Sequence, residues 1–129
     1  MTKISIEEDC GNAPKKTFIK DFLIATTTEN INDALEMITD DISINTPGQT
    51  LAHGKEEAEQ LFRSNTAKNK VSELIVKNIL SHGDKGAADG VMRFTDDSKV
   101  AFCHIYTFSS HKKDAKIKTI TSYSVKAIL

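Results

Sequence analysis

The chain is predicted to fold as a single α+β domain, and three observations carry that prediction. Helical spacing of apolar residues is concentrated in the first half, and long strand-like runs fill the second. The segments between those later runs are short, polar and turn-like. Helices segregated ahead of antiparallel strands pack on one face of the sheet those strands make.

Residues 1–14 are polar, contain Gly11 and Pro14, and read as a leader or an edge strand ahead of one domain over residues 15–129. From Lys15 to Thr28, the residues Phe18, Ile19, Phe22, Leu23 and Ala25 fall on one helical face. The run Thr26-Thr27-Thr28 is poor helix stock and frays its end. Asn30 or Asn32 caps a second, shorter helix through Met37, with Ile31, Ala34, Leu35 and Ile38 on its apolar stripe. Ile42-Ser43-Ile44-Asn45 alternates with period 2 and reads as a short strand closed by Pro47-Gly48. Beyond Gly54, the positions Ala58, Leu61 and Phe62 mark a third helix over Lys55–Asn65. The remainder contains no proline and divides into four strands, Val71–Leu80, Ala87–Phe94, Val100–Phe108 and Lys116–Ile128, joined as a meander.

Bulk properties narrow the function. A length of 129 residues, with 39% hydrophobic and 27% charged residues, suits one water-facing globular core. A net charge of −1 provides no basic field for nucleic acid or anionic lipid. No stretch approaches the roughly 20 apolar residues that span a bilayer. Met1 to Lys16 lacks the apolar core of a signal peptide. Cys10 and Cys103 are too few and too far apart for a disulfide framework or a zinc site. The expected location is cytoplasmic, with no nucleic-acid or membrane partner, no metal and no cofactor.

Short hairpins allow the facing residues to be placed. A middle turn near Asp97 sets Met92 opposite Phe102, Gly90 opposite His104 and Ala88 opposite Tyr106. The flanking turns set Asn78 opposite Gly90, Thr119 near His104 and Tyr123 near Val100. One face then collects Leu74, Val76, Leu80, Met92, Phe94, Val100, Phe102, Tyr106, Phe108 and Ile117. Across it runs a polar row, Asn78, Gly90, His104 and Thr119. Polar groups in a core are costly without partners, and small neighbours leave space, so the row has the composition of a ligand pocket. The plainer alternative is that Asn78 and Thr119 simply satisfy a core histidine. The other face mixes Ile75, Ile79, Val91, Cys103, Ile105 and Ile120 with charged residues, which suits a sheet covered in part by a second copy of the chain.

The element order, the segment Asp40-Asp41-Ile42-Ser43-Ile44-Asn45-Thr46-Pro47, the helix entry His53-Gly54-Lys55-Glu56-Glu57-Ala58 and the final meander resemble the nuclear transport factor 2-like superfamily, in particular its SnoaL-like branch. The resemblance covers residues 15–128. It implies a cone: a strongly curved antiparallel sheet wrapped around the N-terminal helices, also called a cystatin-like roll, with a deep apolar pocket and frequent dimers. The superfamily includes isomerases, dehydratases, epoxide hydrolases, cyclases and non-catalytic binders, so residues must choose among them. In ketosteroid-isomerase-like members, a carboxylate base stands where this chain has Thr46, and a tyrosine donor stands where it has Phe22. Their protonated acid matches His104, the one position that stays ionisable. Epoxide-hydrolase-like members resemble the fold but need an Asp-Arg-Asp constellation. Here the only arginines are Arg63 and Arg93, one near a helix end and one on the outer face.

The remaining candidates are weaker. His53 is assigned to local packing or capping, His82 and His111 to solvated turns, and Asp40-Asp41 to a surface loop. No histidines stand at metal-ligand spacing, and no glycine-rich phosphate loop occurs. The expected function is binding of a small apolar or carbonyl-bearing molecule by Phe22, Thr46, Asn78, Gly90, Met92, Phe102, Tyr106, Thr119 and Tyr123 around His104. The alternative is a dehydratase- or cyclase-type lyase or isomerase with His104 as general acid/base, supported by Tyr106 or Tyr123. A third possibility is a dimerisation module whose pocket is filled by its own side chains. A homodimer through the outer sheet face is expected in any case.

Overall fold

Three helices and seven strands occupy most of residues 2–11 and 13–126, the part of the chain that the computed structural model describes. The N-terminal segment provides β1 (Lys3–Ile6), a strand that runs parallel to a later one, so part of the polar leader belongs to the sheet. Helix α1 (Pro14–Thr27) begins with proline, whose fixed φ and missing N–H suit a first turn. It buries Ile19, Phe22 and Leu23 at helical spacing. The threonine run ends it, because the hydroxyls of Thr26, Thr27 and Thr28 donate back to helix carbonyls. Glu29 then takes a left-handed φ of 67°, and the Asn30 N–H donates to the Ala25 carbonyl at 3.1 Å, a Schellman-type stop.

Helix α2 (Ile31–Glu36) leads into β2 (Ile38–Thr46), which starts earlier than its alternation suggests. Asp40 and Asp41 therefore lie on an exposed stretch of strand rather than in a loop, and Asp40 meets Lys55 at 3.4 Å. Pro47-Gly48 forms the two-residue turn to β3 (Gln49–His53), with Gly48 at φ 78° as a type II turn requires. That strand was not anticipated. Helix α3 (Lys55–Lys68) follows, and Glu57 turns back to accept the His53 N–H at 2.9 Å. His53 thus serves the helix start through its backbone, while the residue itself is exposed.

The meander consists of β4 (Val71–His82), β5 (Lys85–Phe94), β6 (Lys99–Phe108) and β7 (Ile117–Lys126). The sheet order is β1-β4-β5-β6-β7-β2-β3, curved and unclosed, with β2 parallel to β7 and β1 parallel to β4. The proposed end of the last strand at Ile128 lies outside the described residues. The core joins α1 and α2 to the concave face through Leu74, Val76, Ile79, Tyr106, Phe108 and Ile117. Lys15 pins the β6–β7 loop to this body. Its Nζ donates to the carbonyls of His111 and Lys112 at 2.8 and 2.7 Å and lies 5.4 Å from the centre of the Phe108 ring.

Register decides which residues face the core, and here the structure corrects the reading. β5 and β6 pair Met92 with Val100, Gly90 with Phe102 and Ala88 with His104, two positions from the expected pairs, so those faces are preserved. β6 and β7 pair His104 with Ser122 and Cys103 with Tyr123, an odd offset from the expected partners. An odd offset turns every side chain to the other face. Ile117 and Ile120 both point inward because the β6–β7 pairing shifts between Thr107 and Phe108. A second irregularity in β4, between Val76 and Asn78, buries Ile79 and sends Asn78 and Leu80 outward.

Gly90 stands opposite that irregularity. A Cβ there would collide with the backbone carbonyl of Ile75, so only glycine lets β4 and β5 approach at the bend.

Candidate functional site

A cavity of about 360 Å³ opens between α1, α3 and the concave sheet face. Its size is at the low end for a small-molecule site. Phe22 and Leu23 from α1 and Leu61 and Phe62 from α3 form one wall. Met92 and Phe94 of β5, Val100 and Phe102 of β6 and Ile120 of β7 form the other. Phe22 packs edge-to-face on Phe62 of the lining at 6.0 Å and on Tyr106 behind it at 6.3 Å. A larger polar groove of about 660 Å³ shares Thr27, Thr66, Asn69 and Val71 with this cavity, but it lacks the aromatic walls. The smaller space is the better-built site.

Polar groups enter the cavity from few places. His104, Ser122 and Ser124 stand on the β6–β7 wall, while Thr26, Thr27, Asn65, Thr66 and Asn69 contribute from the helix ends. No Asp, Glu, Lys or Arg is among the lining residues. The cavity therefore offers hydrogen bonds but no formal charge.

His104 sits half-buried beside the Phe102 ring, at a centroid distance of 5.0 Å. Its Nδ1 lies 3.1 Å from the hydroxyl of Tyr106, two residues along the same strand and on the same face. Tyr106 is wholly buried. Burial in these apolar surroundings pushes the imidazole down to about 4 and pushes the phenol well above its ordinary value, so both groups are neutral near pH 7. Leaving the phenol without its partner would cost about 1–3 kcal/mol, which is the force that orients the ring.

The expected site is thus partly assembled. Phe22, Met92, Phe102 and His104 line the cavity. Tyr106 lies behind it as the support of His104. Thr46 is also one step back, its hydroxyl donating to the Ser122 carbonyl at 3.0 Å. Gly90 contributes no lining surface, because it is spent on the sheet bend. Asn78 is exposed on the outer face and bonds Asp89 at 2.9 Å. Thr119 pairs with Thr107 and Tyr123 with Cys103, both on the outer face. Ser122 takes the place expected of Thr119 beside His104, and Ser124 stands opposite Phe102. The trace of them in the sequence is the odd spacing of Ile117 and Ile120, which becomes a bulge before the serines only because both residues are buried. Among the described residues, no cluster of His, Cys, Asp or Glu is placed to hold a metal ion.

No family model matches the sequence, and no curated protein does. Solved structures match over nearly the whole chain. An NTF-2 like protein of unknown function from Burkholderia xenovorans superposes with a TM-score of 0.75 at 13% identity, covering 94% of this chain and 90% of that one. A candidate ketosteroid isomerase from Kribbella flavida gives 0.73 at 9% identity, with 90% and 81% covered. A candidate polyketide cyclase from Sinorhizobium meliloti gives 0.68 at 13%, with 83% and 94% covered. The chain has the α+β fold of the nuclear transport factor 2-like superfamily.

Proposed function

We propose that the cone cavity binds a small, uncharged, largely apolar molecule and that His104 anchors one polar atom of it. The observation that carries this reading is the lining itself: aromatic and aliphatic walls, one neutral imidazole, a few hydroxyls and amides from the β7 serines and the helix ends, and no charged side chain. The solved structures with this fold include a candidate ketosteroid isomerase and a candidate polyketide cyclase, which makes a ketone a natural first probe here. Thr46 and Phe22 leave this chain without the carboxylate and the phenol that the isomerase resemblance calls for. His104 as a general base is the second reading, and its environment weighs against it. Among the described residues, no carboxylate lines the cavity to stabilise the imidazolium that a histidine base becomes when it takes up a proton.

Ligand-observed NMR with two probes tests the reading. The neutral bicyclic ketone α-tetralone is expected to bind, and binding should disappear in Ser122→Phe, which fills the cavity. The carboxylate naphthoate is expected not to bind, for want of a cation. Equal binding of both probes, or binding that survives the filled cavity, would sink the proposal.

The same proposal includes a homodimer through the convex sheet face. Ile105, Tyr123 and Val125 are 41%, 47% and 68% exposed there, on adjacent strands. No described helix is long and apolar enough to cross a membrane. A cytoplasmic location is supported by the free thiols of Cys10 and Cys103.

A further inference from the structure

The two ring nitrogens of His104 have different surroundings. Nδ1 faces the Tyr106 hydroxyl, which is sealed in the core and has no other partner among the described residues. Nε2 has none, yet it is absent from the buried, unpartnered side-chain atoms, which among the described residues are Thr39 Oγ1 and Arg93 Nε. Nε2 is therefore the nitrogen left to meet whatever occupies the cavity.

A neutral imidazole carries one proton, and the phenol determines where. If Nδ1 held it, that N–H would donate to the phenol oxygen, and the phenol hydrogen would be left in the core with no acceptor. If Nε2 holds it, the Tyr106 O–H donates to Nδ1, and every buried hydrogen has a partner. Buried polar groups are paired wherever geometry permits, so the second arrangement is selected.

We infer that Tyr106 locks His104 as the Nε2–H tautomer, so the cavity presents a hydrogen-bond donor and selects ligands that carry an acceptor oxygen, a ketone or related carbonyl. This rests on the pocket reading and sharpens it. A base would need a lone pair at Nε2, where this chain has a proton. Tyr106 is a positioning residue that acts through His104. Ser122, the cross-strand neighbour of His104, adds a rotatable hydroxyl beside the same point.

Two measurements test the inference, the first of them without any ligand. A nitrogen–proton correlation spectrum of the imidazoles at neutral pH should show His104 with Nε2 protonated and Nδ1 bare. In Tyr106→Phe the signal should move toward a mixture of tautomers, with an unchanged far-ultraviolet circular dichroism spectrum. A protonated Nδ1 in the unmodified protein overturns the inference. The second measurement compares α-tetralone with tetralin, the same skeleton without the oxygen. The ketone should bind about ten-fold more tightly, and His104→Phe should abolish the difference. Equal binding overturns the donor inference but leaves the pocket standing. If neither compound binds, the pocket reading fails, and the tautomer spectrum still decides the state of His104.

Discussion

His104 is kept neutral by its neighbours, and that has a measurable cost in acid. Phe102, Tyr106, Ala88 and Ser122 surround it from its own and the adjoining strands, and the cavity lining includes no charged group. Its folded-state pKa is about 4 against an ordinary 6.5. Between these values the unfolded chain takes up a proton that the folded chain refuses, so stability falls as pH falls through that window. Above about pH 6.5 the effect vanishes, and near 4 it levels off. Urea unfolding at pH 7 and pH 4.5 should show a loss from this group on the order of 2 kcal/mol, lessened by water in the cavity. His104→Gln should remove that part of the difference. An unchanged pH slope in the variant would show that burial of His104 does not control its titration.

Among the elements, the junction of β4 and β5 is where the sheet's shape is made. The irregularity between Val76 and Asn78 and the missing side chain at Gly90 let one strand bend against the other. That bend returns Ile79 to the core and holds β5 and β6 around the cavity. Gly90→Ala would drive a methyl group into the Ile75 backbone, which cannot rotate aside as a side chain would. The expected loss is roughly 2–4 kcal/mol, read as a lower urea midpoint. A neutral result would mean that the two strands separate at little cost. The turn glycines face no such collision: around Gly48 and Gly83 an added Cβ would meet nothing within 4 Å.

For the molecule as a whole, the two sheet faces have divided the work. The concave face packs on the helices and lines the cavity, while the convex face leaves Ile105, Tyr123 and Val125 in water. Sedimentation at tens of micromolar should give twice the chain mass, roughly the range in which standard-size interfaces stay closed. Tyr123→Lys combined with Val125→Lys should give the single-chain mass without changing the secondary structure. A wild-type monomer under those conditions would refute the dimer.

The sequence by itself determined the α+β class, the three helices and the meander, and it singled out His104 as a candidate. Those features rest on local periodicity, turn chemistry and residue type, which neighbouring residues along the chain are enough to express. Phe22, Met92 and Phe102 keep the inward faces that their local spacing gives them, since those faces survive the true pairing. Only the tertiary structure decided that Ser122 rather than Thr119 stands beside His104, that Asn78 and Tyr123 face outward, and that Tyr106 lies behind the histidine. The physical reason is the two-residue period of a strand. One bulge, chosen by packing between distant segments, reverses every face beyond it, and no local pattern bears that choice alone.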